Sequence, residues 1–153
     1  MIRNWFIRLN TPLLLSFATI AFTSLPAFAN PLSEAEIRRS LLGHSWIGEY
    51  ANGRQWAETF KSDGTTRYSE GNFSVEGKMR FESKEVCFTY GTGSGFVGGC
   101  FEVWRRSANC FDFYGVAGGS TNATSNQKRI GLGWTARAWK ASAPSTCVSD
   151  MIS

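Results

Sequence analysis

The chain has 153 residues, of which 42% are hydrophobic and 14% aromatic, with 16 basic and 12 acidic side chains, one histidine and four cysteines. This is the length of one domain, too apolar for a disordered chain and too poor in histidine for a His-rich metal centre or a histidine-dependent triad. The formal net charge of +4 is spread over isolated doublets among acids (Arg38-Arg39, Arg105-Arg106, Lys128-Arg129), so the basic face that a nucleic acid requires is not present.

Residues 1–29 carry Arg3 and Arg8, then an apolar stretch from Thr11 to Phe22, then Ala27-Phe28-Ala29. A cationic start, an apolar stretch too short for a comfortable membrane span and a small-x-small tripeptide make a secretory signal peptide. Cleavage would leave 30–153 as a single β-barrel domain with a charge of +2, since the removed segment holds two arginines and no acid. The expected location is periplasmic or secreted, with no membrane span after signal cleavage.

In chain order, the first element of the exported part is a helix from Pro31 to Gly43. Ser33 and Glu36 form a capping box, Ile37, Leu41 and Leu42 an apolar stripe, and Gly43 a left-handed stop. Strands follow. The spacing predicts eight, at about 44–50, 54–61, 65–70, 73–82, 85–90, 99–105, 109–114 and 129–140. Between 73 and 82, Phe73, Val75, Met79 and Phe81 alternate with polar residues, the pattern of a sheet with one buried face. Tight turns fix the registers: Ala51-Asn52-Gly53 sets Gly48 opposite Trp56 and Trp46 opposite Glu58. Ser62-Asp63-Gly64 sets Phe60 opposite Thr66, Gly71-Asn72 sets Tyr68 opposite Val75, and Ser83-Lys84 sets Phe81 opposite Val86. All place aromatic residues on one face. An up-and-down meander of this kind removes its edges by closing into an all-β, eight-stranded antiparallel barrel with one short N-terminal helix, a sandwich being the alternative. Several strands are too short, and their outer faces too charged, for an outer-membrane barrel.

The same registers pair the cysteines. With Val86 opposite Phe101, Cys87 faces Cys100, which leaves Cys110 for Cys147. Four cysteines without a C-x-x-C pair favour two disulfides in an oxidising compartment over a zinc site, so no metal and no cofactor are expected.

With the helix, the Gly43-His44-Ser45-Trp46 start of the first strand and Gly133-Trp134-Thr135-Ala136-Arg137-Ala138-Trp139 in the last, the chain resembles the calycin superfamily of lipocalins and avidins. Their first-strand G-x-W motif is one residue longer here. The resemblance implies a ligand-admitting mouth opposite the helix, and a cation-to-ring contact between Trp46 and Arg137. Through its Asp63-Gly64-Thr65 turn and the pairs Cys87-Phe88, Cys100-Phe101 and Cys110-Phe111, the chain also resembles a family of small exported alphaproteobacterial proteins. That likeness implies a compartment and no activity.

Strand alternation puts the connections at 51–53, 71–72, 91–98 and 115–128 at one end. Tyr50, Arg54, Tyr90, Phe96 and the polar stretch 118–122 are therefore the candidate ligand-binding residues. Glu58 falls among Trp46, Trp56 and Tyr68, and a carboxylate there calls for a partner, Arg137 or Arg54, in a structural ion pair. The glycine-rich loop 91–95 lacks the helix and Lys-Ser/Thr of a phosphate cradle, His44 reads as a helix-end residue, and no nucleophile-base set is legible. Twelve inward rings (Trp46, Tyr50, Trp56, Phe60, Tyr68, Phe73, Phe81, Phe88, Tyr90, Phe101, Phe111, Phe113) would nearly fill an eight-stranded interior, leaving at most a shallow pocket near the mouth. The expectation is a non-catalytic protein holding a small apolar or aromatic ligand at the barrel mouth. The alternative is a filled barrel acting through its surface on the envelope or as an inhibitor, its protein partner unknown.

Overall fold

The computed structural model describes residues 30–92, 95–117 and 123–147, with side chains 92, 95–97 and 117 left aside. The signal-peptide segment, the stretch 118–122 and the Phe96 side chain lie outside the described residues. Helix α1 (Glu34–Leu41) leads into eight antiparallel strands: β1 (His44–Tyr50), β2 (Gln55–Phe60), β3 (Thr65–Glu70), β4 (Phe73–Glu82), β5 (Glu85–Thr92), β6 (Gly95–Ser107), β7 (Cys110–Ala117) and β8 (Ala136–Lys140), with a short helix α2 (Ser125–Arg129) before the last. Each strand pairs with its neighbours in sequence, and β8 closes on β1.

The turns set the registers as their chemistry dictates. Trp46 lies opposite Glu58 and Gly48 opposite Trp56, Phe60 opposite Thr66, Tyr68 opposite Val75, and Phe81 opposite Val86. Gly53 and Gly64 sit at positive φ, 82° and 83°, which only glycine adopts without cost. Because strand side chains alternate, one correct register carries a whole face inward, and the rings of Trp46, Phe60, Phe88, Phe111 and Phe113 form one buried cluster with Ile37 and Leu41 of α1. α1 thus plugs the end of the barrel away from the mouth. Its start is held by Glu36, whose Oε2 accepts from the Ser33 N–H at 2.8 Å and hydroxyl at 2.6 Å.

Two expectations change. The 91–98 loop shrinks, because β5 and β6 continue as one ladder to the Thr92–Gly95 pair. The predicted 129–140 strand is strand only from Ala136. Ahead of it, Thr124 accepts from the Gln127 N–H and Gln127 Oε1 accepts from the Thr124 N–H at 2.8 Å, a capping box that nucleates α2. This connection folds over the outer face of β6 and β7, burying Trp104, Asp112 and Tyr114.

Cys87 bonds Cys100, and Cys110 bonds Cys147. The first joins directly paired residues of β5 and β6; the second ties down the segment after β8, where Asn109 Nδ2 also donates to the carbonyls of Lys140, Ala143 and Pro144. Two disulfides fit an oxidising, non-cytoplasmic environment. No helix among the described residues is long and apolar enough to cross a membrane. The Cys110–Cys147 bridge closes a loop of 37 residues. Replacing both cysteines by alanine is expected to lower stability by about 4 kcal/mol, measured by urea unfolding, and to expose the backbone after Lys140 to hydrogen exchange.

Candidate functional site

At the open end the interior is not filled. A cavity of about 300 Å³ runs inward from Tyr50, Phe73 and Val75 at the mouth, past Trp56, Glu58, Tyr68 and Tyr90, to Phe60, Phe88, Phe101 and Phe113. This is deeper than the shallow pocket expected from twelve inward rings, and glycine explains the difference. Gly48 and Gly77 occupy inward positions, and a Cβ on them would lie 2.2 Å from the Trp56 ring and 2.5 Å from the Tyr90 ring. These two rings lie flat in notches of the wall instead of projecting to the axis. Gly98, Gly99 and Ala136 complete a low wall around the cavity. Phe73 is 51% exposed and stands at the rim.

Glu58 is the one carboxylate among the lining residues, and it is 5% exposed. Its position follows from the β2 alternation that turns Trp56, Glu58 and Phe60 inward together. The expected ion pair is absent, because Arg137 and Arg54 are both engaged elsewhere. Arg137 points outward, since Ala136 and Ala138 on either side of it face the core, and it donates to Asp112 at 2.7 Å. Arg54 sits at the rim 3.2 Å from Glu70. Glu58 Oε1 instead accepts from the Thr66 hydroxyl at 2.5 Å and the Tyr90 hydroxyl at 2.7 Å. Burial raises its pKa to about 7, and the two hydroxyls only partly offset this. The carboxyl is therefore poised between its charged and neutral forms near neutrality.

A second hydroxyl chain lines the rim. Tyr68 donates to Glu70 Oε2 at 2.6 Å, so Tyr50, 3.0 Å from the Tyr68 oxygen, donates to Tyr68. Burial pushes the Tyr50, Tyr68 and Tyr90 hydroxyls up, so all three stay neutral donors. Rings stand close to one another throughout: Trp56 and Tyr68 at 6.3 Å between centroids, Tyr68 and Tyr90 at 5.5 Å.

Of the predicted ligand-binding residues, Tyr50 and Tyr90 line the cavity, Arg54 stands over the Tyr50 ring, 5.5 Å from its centroid, and the Phe96 side chain lies outside the description. Trp56 and Tyr68 also line the cavity; alternation alone makes them core filler, although the glycine facing Trp56 is visible in the register. The Trp46 to Arg137 contact implied by resemblance is also corrected. Arg137 lies over Trp134, 4.8 Å from its ring, whereas Lys140, opposite Trp46 in the ladder, places its Nζ 5.9 Å from the Trp46 ring. Trp46 Nε1 donates to the Leu41 carbonyl at 3.2 Å, locking the first strand to the helix.

Among the described residues the one cluster with metal-ligating atoms close together is Glu85 with Cys87 and Cys100, and the disulfide consumes both sulfurs. Set beside known proteins, the chain matches no family model, no curated protein and no solved structure, so its chemistry is read from the geometry of this cavity.

Proposed function

We propose that this is an exported, non-catalytic binding protein of calycin-like build that takes a small apolar or aromatic molecule into the open end of its barrel. The observation that carries the reading is the cavity of about 300 Å³, lined almost wholly by rings and small residues with a single carboxyl among them. This is the lower end of ligand-site volumes, with the expected balance of apolar wall and few polar anchors. The rings supply burial, and the Glu58 carboxyl with the Tyr90 hydroxyl supplies orientation. A closed ladder with a helix plug makes the site rigid, which keeps the ordering cost of binding low.

The test is occlusion. Ala136, 5% exposed on β8, lines the cavity between Tyr50 and Phe113, its partners in the neighbouring strands. Ala136→Leu is expected to fold normally, because the added atoms enter the cavity. Titration with 2-phenylethanol, followed by calorimetry and by thermal shift, should raise the melting temperature of the wild-type protein, since a ligand that binds only the native state stabilises it. The variant should show at least about a tenfold loss of affinity, the equivalent of 1.4 kcal/mol. Equal behaviour of the two proteins would rule the cavity out as the binding site.

A further inference from the structure

We infer that the molecule this cavity recognises is a cation, a small aryl or alkyl ammonium whose charged head rests against Glu58 and whose apolar body lies among the rings. The inference rests on the binding reading above and narrows it to one ligand class.

A carboxylate taken out of water is normally paired with a cation or held by a full set of donors. Glu58 has donors on one oxygen only: both the Thr66 and Tyr90 hydroxyls go to Oε1, and among the described residues none donates to Oε2 or forms an ion pair with it. Both donors are neutral hydroxyls. Among the described residues no positively charged group faces Glu58. From β1 it is faced by Tyr50, from β3 by Thr66 and Tyr68, and from β5 by Tyr90. At the rim Glu70 binds the Tyr68 hydroxyl and the guanidinium of Arg54, so that cation is already paired and more than half exposed. The remaining lining is apolar apart from the Trp56 indole N–H, which is buried with no hydrogen-bond partner among the described residues.

The walls favour the same charge. Trp56, Tyr50, Tyr68 and Tyr90 present ring surfaces to the cavity around Glu58, and the negative face of an aromatic ring attracts a cation, more strongly where water is excluded. An anionic ligand would meet both an acidic anchor and the wrong ring electrostatics. A neutral alcohol would gain the hydrogen bond but neither charge term. A primary ammonium satisfies Oε2, pairs the carboxylate and keeps its apolar part against the rings.

The experiment compares three molecules of one shape, 2-phenylethylamine, 2-phenylethanol and phenylacetate, by calorimetry on the disulfide-bonded protein at pH 8 and pH 5.5. An alkylammonium stays protonated at both. With Glu58 titrating at about 7, its ionised fraction falls about 30-fold between the two pH values, so the amine should bind about 30-fold more weakly at pH 5.5 while the alcohol changes little. At pH 8 the amine should exceed the alcohol by at least about tenfold, with phenylacetate the weakest. Glu58→Gln, its fold checked by a cooperative urea unfolding transition, should lose the preference for the amine over the alcohol at both pH values. Amine and alcohol of equal affinity at pH 8, a pH-independent amine, or an amine preference that survives in Glu58→Gln would each overturn the cation assignment while leaving the cavity a binding site. Failure of all three molecules to bind wild type would remove the binding reading and this inference with it.

Discussion

Asp112→Ala is expected to lower the unfolding free energy by about 3 to 5 kcal/mol, the range for removing one member of a buried ion pair. Asp112 has no exposed surface and stands on the outer face of β7, where it receives Arg137 Nε at 2.7 Å and Arg106 Nε at 2.5 Å. Arg106 also donates to the Tyr114 hydroxyl at 2.6 Å and to the carbonyls of Lys128 and Arg129, at the end of α2. One carboxylate therefore pairs with two guanidiniums and, through Arg106, fastens the connection that covers this side of the barrel. Alanine would leave two like charges side by side under that cover. Asp112→Asn keeps the shape and part of the hydrogen bonding, and should cost less. Urea unfolding of the three proteins at pH 7.5 decides the matter, and hydrogen exchange at residues 125–129 should speed up in the alanine variant. A loss below about 1 kcal/mol, the value of a surface pair, would show that the guanidiniums simply rehydrate and that the connection is held by something else.

Glu58→Gln should act in the opposite sense and stabilise the protein at alkaline pH by about 3 kcal/mol. The sign follows from linkage. The carboxyl releases its proton at about 7 in the folded chain, against an ordinary value of 4.5. Between those pH values the native state holds a proton that the unfolded state has already lost, so stability falls as pH rises from 4.5 through 7 and stays lower above it. Glutamine can still accept the Thr66 and Tyr90 hydroxyls and never ionises. The gain should therefore vanish near pH 4.5, grow through 7 and level off by about pH 8.5. His44 is shifted down by burial and by Lys140, so its contribution runs the other way in the same region. Subtracting the two unfolding curves removes it, because both proteins contain it. A difference that is flat with pH would mean that the Glu58 carboxyl is as well solvated folded as unfolded.

A carboxyl that weakens the fold at the pH where it is charged is the pattern expected of a group kept for binding, and strain of this kind is concentrated at functional sites. That is why the stability measurement and the amine titration bear on the same atom from two directions. An ammonium bound at Glu58 would restore, at pH 8, the stability that the lone carboxylate costs.

The barrel was legible in the chain because it depends on local facts. Asn52-Gly53, Asp63-Gly64 and Gly71-Asn72 each dictate a turn, and a turn of known length fixes which residues face each other. Once Phe81 stands opposite Val86, strict alternation carries the inward set along both strands, and the pairing of Cys87 with Cys100 comes from the same arithmetic. Even helix α2 has a local signal, the Thr124 and Gln127 capping box, which falls inside the connection 115–128 that strand alternation treats as a loop. Arg137 was misassigned for a related reason: resemblance suggested a residue near the right place, but Ala136 and Ala138 on either side were the stronger evidence that it faces outward.

The sequence by itself thus determined the closed antiparallel barrel, its helix plug, both disulfides and the presence of an acid among inward rings. Only the tertiary structure decided that the interior holds a cavity, that Glu58 is met by hydroxyls instead of a guanidinium, and that Asp112 gathers two arginines outside. Registers are set by neighbours a few residues apart, whereas volume and charge pairing depend on groups arriving from opposite walls. Whether the Trp56 and Tyr90 rings fill the axis or lie in the notches of Gly48 and Gly77 is settled by packing across strands, where alternation is silent.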